Sequence, residues 1–243
     1  MEVDEHYANL RLAELYDLDS PWAEDTDFYI AAAGSEAIDV IDVGCGTGTL
    51  ALGLADRGHR VVGVDPAPAM LDVARSKDAD GRVRWQYGDA QTFRVDLMAD
   101  LIVMTGHAFQ TLLTDDDILD SLRNFKRHLK PNGRAIFETR NPAIDWQVRW
   151  RTESVWQLPE GAVRQVRSPI TIDGELVSFA HDWHFADGTK LTSSSTLRFA
   201  PETTVRRLAE QAGLAIDTVF GDWTGGPFDA ARSDEMIFVL EAR

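Results

Sequence analysis

Residues 40–75 read VIDVGCGTGTLALGLADRGHRVVGVDPAPAMLDVAR, and this stretch decides how the rest of the sequence is interpreted. An apolar run is followed by three glycines within five residues, Gly44, Gly46 and Gly48, and then by a helical pattern. A second apolar run ends at the acidic residue Asp65. Because a glycine loop between a strand and a helix leaves the backbone open to a ligand, we expect a binding site here.

Strand and helix patterns alternate outward from this stretch. Near-continuous apolar runs, typical of strands buried on both faces of a sheet, cover residues 38–44 and 60–65, and further strands are predicted at 82–88, 99–105 and 134–139. Helical periodicity fits residues 47–57, 67–77, 114–129 and 202–211, and two closing strands are predicted at 214–221 and 235–242. The alternation predicts an α/β protein with a doubly wound, mostly parallel sheet of seven strands.

A different pattern interrupts this alternation after Arg140. From about residue 152 to 200 polar and apolar residues alternate, and Asp173-Gly174 and Asp187-Gly188 suit hairpin turns. We predict a small antiparallel β insertion of three or four strands. The chain then divides into one domain of residues 1–145 and 201–243 and an insertion of residues 146–200, with residues 2–29 as a helical cap. A turn at residues 131–133 is predicted to separate the third long helix from its following strand.

The composition limits the possible partners. The net charge of -16 argues against binding to a nucleic-acid backbone, which depends on clustered lysine and arginine. Cys45 is the single cysteine, so an intrachain disulfide is impossible, and we interpret it as a small residue in a crowded turn. The N-terminal sequence shows no signal pattern, and no apolar run approaches ~20 residues. We expect a cytoplasmic protein with no membrane partner and no metal.

The spacing of the glycines separates two kinds of ligand. The fingerprint of dinucleotide-binding oxidoreductases is G-x-G-x-x-G/A, whereas this loop reads G-x-G-x-G and has Thr49 where the third glycine would stand. Asp42 adds an acid two residues before the loop. Asp65, Asp89 and Thr105 come at the ends of the next predicted strands, which meet at one edge of such a sheet. The spacing of the glycines together with Asp42 suits a positively charged ligand better than a pyrophosphate.

The motifs DVGCGTG, GVDPAPAML, GDA and LKPNGRAIFE together resemble those of class I S-adenosylmethionine-dependent methyltransferases. The resemblance covers residues 39–140 and 202–243. It implies a Rossmann-like sheet, S-adenosyl-L-methionine as cofactor, and in-line transfer of a methyl group to N or O of a small molecule. The residues that it places at the cofactor are Tyr16, Asp42, Gly44, Cys45, Gly46, Gly48, Asp65, Pro66, Met70, Gly88, Asp89, Ala90, Thr105 and Gly106.

The resemblance also implies individual roles at the cofactor. Asp42 matches an acid near the methionine amino group, and Asp65 matches one that binds the ribose hydroxyls. Asp89 and the Ala90 backbone N–H are expected at the adenine, with Pro66 and Met70 as its walls. The Thr105 carbonyl resembles one that accepts a hydrogen bond from the methionine amino group, and Tyr7 and Tyr16 are candidates to close over that end.

His107 is the candidate general base, because it follows the fourth strand beside the expected position of the methyl group. The alternative is that it only lines or orients the pocket. Candidates to position the acceptor are Glu138, Arg140 and Asn141. His181 and His184 are expected to face solvent. The four tryptophans in and before the insertion either form walls of an acceptor pocket or pack the insertion and a dimer contact: Trp146, Trp150, Trp156 and Trp183.

Three functions stay open from the sequence. The chain lacks the Asn/Asp-Pro-Pro-aromatic motif after its fourth strand, so methylation of nucleic-acid bases is disfavoured and a small-molecule acceptor is expected. Amino-sugar N-methyltransferases resemble it in carrying a comparable sheet at this point. The alternatives are a noncatalytic protein that binds S-adenosylmethionine and an NAD(P)-dependent oxidoreductase. Both a monomer and a homodimer are compatible with the sequence.

Overall fold

The computed structural model describes residues 4–242, which form two β-sheets and nine α-helices. The strands in chain order are β1 (Asp39–Val43), β2 (Arg60–Asp65), β3 (Val83–Tyr87), β4 (Ala99–Met104), β5 (Leu129–Arg140), β6 (Glu153–Leu158), β7 (Gly161–Arg167), β8 (Thr171–Asp173), β9 (Leu176–Phe185), β10 (Lys190–Arg198), β11 (Leu214–Phe220) and β12 (Glu235–Ala242). The helices are α1 (Glu5–Ala8), α2 (Leu10–Ala13), α3 (Tyr16–Asp19), α4 (Glu24–Ala33), α5 (Thr49–Ala55), α6 (Pro68–Lys77), α7 (Asp115–His128), α8 (Trp146–Arg149) and α9 (Glu202–Ala212). A short 3-10 helix covers Ala108–Thr111.

The larger sheet has seven strands in the order β11-β12-β5-β4-β1-β2-β3. Strand β12 runs antiparallel to both of its neighbours, and the other pairs are parallel. The predicted doubly wound, mostly parallel sheet is therefore confirmed. From β1 the chain continues to β2 and β3 on one side and then returns to β4 on the other. Such a switch point opens a crevice at the carboxyl ends of β1 and β4.

Both faces of the larger sheet are covered, because neighbouring residues of its central strands point to opposite sides. Val40 of β1 packs in the cluster that contains α4 and α5, represented by Leu54. Its neighbour Ile41 packs in the cluster that contains α7 and α9, represented by Phe125 and Leu208. This double burial explains why the strands appear in the sequence as continuous apolar runs.

The start of β5 differs from the prediction. A strand from residue 134 was expected after a turn at residues 131–133, but β5 begins at Leu129, directly after α7. The pairing with β4 passes from Ala99 opposite Leu129 to Leu101 opposite Arg134, so β5 bulges between these pairs. Asn132 has a φ of +65° within the bulge. The turn residues therefore bend the strand instead of ending an element before it.

The second sheet is the predicted antiparallel insertion, but it has five strands instead of three or four. Its order is β10-β9-β7-β6, and the short β8 pairs with β9. The shortest strand is β8, whose three residues form one side of the predicted hairpin at Gly174. Three residues are too few for an alternating pattern to appear in the sequence. Gly174 and Gly188 have φ values of +60° and +85° in the two turns.

The N-terminal helices α1, α2 and α3 lie between the two sheets, whereas α4 packs on the larger sheet beside α5. Leu12 and Leu15 are buried with Trp183 and Phe185 of the second sheet. Ala13 packs in a separate cluster with residues of α6. The helical cap expected over residues 2–29 is thus a set of helices, the last of which, α4, continues to Ala33; residues 2 and 3 lie outside the described residues. Among residues 4–242 no helix is both long and apolar enough to cross a bilayer.

Candidate active site

Two cavities meet at the glycine loop after β1. The inner one has a volume of about 80 Å³ and is lined by Tyr7, Tyr16, Val43, Gly44, Gly46, Asp65, Pro66, Ala67, Met70, Ala90, Met104, Thr105, Gly106, Ala108 and Thr111. The outer one, of about 540 Å³, shares Tyr16, Gly44, Gly46, Thr105 and Gly106 and adds Cys45, His107 and Arg140. Most residues predicted at the cofactor are therefore brought together at this crevice. The exceptions that line neither cavity are Asp42, Gly48, Gly88 and Asp89.

The glycine loop leaves its backbone open beneath the Tyr16 ring. Gly44 and Gly46 have φ values of +70° and +54°, which residues other than glycine rarely adopt. A Cβ on Gly46 would lie 3.8 Å from Tyr16 Cε1, and one on Gly106 would lie 3.5 Å from the Tyr16 hydroxyl. The space between this loop and the tyrosine ring thus depends on residues that lack side chains.

Asp65 is fixed at the end of β2 by the two segments that flank the inner cavity. Its Oδ2 accepts a hydrogen bond from the Gly46 N–H at 2.8 Å, and its Oδ1 accepts one from the Ala67 N–H at 2.8 Å. Burial raises the pKa of this carboxyl to about 6, although both backbone hydrogen bonds act to lower it. The carboxyl is thus held in one orientation beside the cavity.

Asp42 is a buried carboxyl without a partner. Its exposed fraction is 1%, and within residues 4–242 neither of its oxygens accepts a hydrogen bond. Burial, together with the nearby carboxyls of Asp65 and Glu138, raises its pKa to about 7. Because an isolated buried carboxylate is costly, a positive group placed near this crevice would stabilise it.

Three predicted cofactor residues have other surroundings. Gly88 and Asp89 line a separate cavity of about 350 Å³, which shares Pro66 with the inner one. The Asp89 carboxylate accepts hydrogen bonds from the N–H and the hydroxyl of Thr92, at 2.8 and 2.7 Å. Gly48 faces the Trp85 ring, because a Cβ there would lie 2.4 Å from Trp85 Cη2. These three residues therefore lie near the crevice without lining its inner or outer cavity.

Cys45 lies in the glycine loop and lines only the outer cavity. The residue is buried, and burial raises the pKa of its thiol well above the ordinary value. A thiol of this kind stays protonated and is a poor nucleophile. This environment supports the interpretation of Cys45 as a small packing residue.

His107 lies at the mouth of the crevice and is paired with an acid that the sequence did not reveal. Its ring Nε2 lies 2.9 Å from Oε2 of Glu235, the first residue of β12. Its backbone N–H donates to Glu138 Oε1 at 2.6 Å, and the Tyr29 hydroxyl donates to the same carboxyl. Burial acts to raise the pKa of Glu235, but His107 and Arg140 outweigh it and hold that pKa below its usual range.

A third cavity, of about 790 Å³, extends from His107 and Arg140 to the second sheet. Trp150 and Trp156 line it, whereas Trp183 is buried in the core beneath Trp156. Trp150 and Trp156 therefore agree with the alternative of cavity walls, and Trp183 agrees with the alternative of packing the insertion.

Two residues of this region differ from their expected surroundings. His181 lines the third cavity instead of facing solvent, and burial lowers its pKa to about 4. The Asn141 amide donates hydrogen bonds to the carbonyls of Ala230 and Ser233 at 3.0 and 2.8 Å. Asn141 therefore holds the loop before β12 and does not line the cavity. His184 is half-buried and does not line it either.

Known proteins resemble this chain in sequence and in fold. A family model described as a methyltransferase domain matches residues 40–133. The cypemycin N-terminal methyltransferase of Streptomyces sp. is 32% identical over 203 residues, which cover 83% of this chain and 82% of that protein. The structure of the CcbJ methyltransferase from Streptomyces caelestis matches with a TM-score of 0.79 and 24% identity, covering 99% of both chains.

A second solved structure supports the same fold. It is an S-adenosylmethionine-dependent methyltransferase from Clostridium acetobutylicum ATCC 824, with a TM-score of 0.81 and 19% identity, covering 96% of this chain and 98% of that one. At these identities the structures establish the fold, and the sequence relative establishes the family. The oxidoreductase and noncatalytic alternatives are thereby set aside. This chain belongs to the class I S-adenosylmethionine-dependent methyltransferases and is an enzyme of that family.

Proposed function

We propose that this enzyme methylates a nitrogen or oxygen atom of a small molecule, and that an amine nitrogen is the first acceptor to test. The observation that carries the proposal is the His107–Glu235 pair, which lies where the crevice at the glycine loop opens into the third cavity. A histidine in this position can accept the proton that an amine must lose. The 32% identical relative is named for methylation of an N-terminus, which agrees with this choice.

We propose that the cofactor lies along the crevice, because the unpartnered carboxyl of Asp42 suits its positive methionine end. Asp65 would bind the ribose hydroxyls, with Met70 as an adenine wall and Tyr16 as a cover. When bound, S-adenosylmethionine would supply a methyl group that is activated by its attachment to a sulfonium. Asp89 retains its proposed role at the adenine through its place beside Pro66.

The protein's own contribution is then alignment and proton removal. The carboxylate of Glu235 fixes the proton of His107 on Nε2, so Nδ1 is the atom left to accept a proton from the acceptor. In residues 4–242 that Nδ1 makes no hydrogen bond. The insertion of residues 146–200 is proposed to form the far wall of the acceptor site, over the third cavity.

The test combines an acceptor screen with a variant of the base. Purified enzyme with labelled S-adenosylmethionine is offered a panel of amines and alcohols, and the gain of one methyl group is followed by mass spectrometry. We expect His107→Ala to lower kcat about 10²–10⁴-fold, the usual contribution of a general base, with unchanged cofactor affinity. Glu36→Gln, at an exposed carboxyl, is the control. Full activity of His107→Ala would contradict its role as base.

A further inference from the structure

Arg140 is a cation without an ionic partner at the centre of the acceptor region. It is the last residue of β5 and lines both the outer cavity and the third cavity. Its guanidinium donates one hydrogen bond, from Nη1 to Gln110 Oε1 at 2.8 Å. Within residues 4–242 no carboxylate lies within the 4.0 Å of an ion pair with it, although arginines elsewhere in the protein form such pairs.

Neighbouring side chains hold this guanidinium in place. The Arg140 Cζ atom lies 5.5 Å from the ring centre of Trp146 and 5.0 Å from the ring centre of Trp150. The Trp146 indole N–H donates to the Asn141 carbonyl at 2.9 Å, and the Gln110 amide donates to the Arg198 carbonyl at 3.2 Å. The group is therefore oriented before any ligand arrives, which favours recognition of a planar anion.

The charge of Arg140 lacks compensation at close range. Arg140 is half-buried, and this burial lowers its pKa, although a guanidinium stays protonated; a partly desolvated charge without a close partner is costly. Glu235 and Glu138 act on it only from a distance, since both hydrogen-bond to His107. An incoming oxyanion would relieve this cost and could accept two hydrogen bonds from the guanidinium.

We propose that Arg140 binds a carboxylate of the acceptor, so that the substrate is an amino or hydroxy carboxylate whose nucleophilic atom faces His107. This inference rests on the proposed function. A single negative charge fits better than a phosphate dianion, because Glu138 and Glu235 lie nearby. We assign this carboxylate to the acceptor and not to the cofactor. Arg140 packs against Trp146 and Trp150, and Trp150 lines only the third cavity, not the outer cavity at the glycine loop.

The test uses benzoate as a carboxylate probe and benzamide as its neutral isostere. The enzyme is first saturated with S-adenosylhomocysteine, so that any site for the cofactor's own carboxylate is filled. Tryptophan fluorescence reports binding, because Trp146 and Trp150 frame the guanidinium. We expect a saturable response to benzoate and none to benzamide. Arg140→Gln should weaken benzoate binding at least tenfold, and Arg140→Lys should weaken it several-fold.

Two results would overturn the inference. One is equal benzoate affinity in the wild type and in either Arg140 variant. The other is a loaded enzyme that ignores benzoate while Arg140→Gln weakens S-adenosylhomocysteine tenfold, since the guanidinium would then serve the cofactor. Arg140→Lys keeps the charge and provides the comparison if Arg140→Gln does not fold. Benzoate binding needs no methyl transfer, so failure of this inference is distinguishable from failure of the proposed function.

Discussion

Asp42 is a buried carboxyl near the end of β1, two residues before the glycine loop, and its burial has a structural cost. A carboxyl ordinarily ionises near pH 4, but this one is buried with both oxygens unpartnered, and its pKa rises to about 7. The folded protein therefore favours the protonated form, whereas the unfolded chain ionises at much lower pH. Below pH 4 the carboxyl is neutral in both states. As the pH rises to about 7, the unfolded state gains stability relative to the folded one.

Asp42→Asn is expected to remove this pH dependence. The difference in free energy of unfolding between the variant and the wild type should shift in favour of the variant from pH 4 to pH 7, by an amount on the order of 4 kcal/mol at most. Above pH 7 the difference should be constant. Denaturant unfolding of both cofactor-free proteins across this range measures it. Glu36→Gln is the control, and a difference that stays flat with pH would contradict the assignment.

Residues at strand ends are the ones that the sequence could identify. Asp65 and Thr105 end apolar runs, and parallel strands bring such ends to one edge, so their meeting at the crevice was predictable. Glu235 carries no such signal. It reaches His107 because β12 inserts antiparallel beside β5, which places Glu235 opposite Arg140. His107 and Glu235 are 128 positions apart in the chain.

At the scale of elements, the glycine loop is shaped by packing as well as by ligand access. The Trp85 ring of β3 fills the space beside Gly48 and also beside Gly63 of β2, where a Cβ would lie 2.7 Å from it. Gly48 has a φ of +81° and directly precedes α5. The third glycine of the motif is therefore required by contact between the loop and β3.

Gly48→Ala is expected to destabilise the fold more than Gly58→Ala. Both glycines have a positive φ, of +81° and +89°, so the backbone strain is matched. Only Gly48 has neighbours within 4 Å of its added Cβ, and these are the Trp85 ring, at 2.4 Å, and Ala74 Cβ, at 3.2 Å. The extra cost should be about 1–3 kcal/mol, typical of overpacking, in denaturant unfolding. Equal losses in the two variants would show that the ring moves aside without cost.

Predictions at this scale were right for the type of element and weaker for its ends. Long apolar or periodic segments fixed the sheet strands and α7, because burial on one or two faces imposes their pattern. The start of β5 depends on its pairing with β4, which is distant in sequence, and β8 has only three residues, too few to show a strand pattern. Local residues such as Asn132 do not encode that pairing, so they suggested a turn instead of a bulge.

At the scale of the whole molecule, the N-terminal helices connect the two sheets. Arg11 of α2 stacks on Phe185 at 3.7 Å and pairs with Asp187 at 2.8 Å, both in the insertion. Tyr7 and Tyr16 of the same helical segment line the inner cavity of the larger sheet. The inner cavity at the glycine loop and the third cavity thus share walls that come from one short stretch of chain.

Leu12→Ala tests whether this connection stabilises the enzyme as a unit. Leu12 is fully buried in the cluster of the second sheet, whereas Leu10, on the same helix, is 50% exposed. Loss of the buried side chain should lower the free energy of unfolding by about 2–5 kcal/mol, and Leu10→Ala should change it by less than about 0.5 kcal/mol. Denaturant unfolding followed by tryptophan fluorescence measures both, since Trp183 lies in that cluster. If the helices only cover the sheets loosely, the two variants should lose the same small amount, and the connection would not contribute to stability.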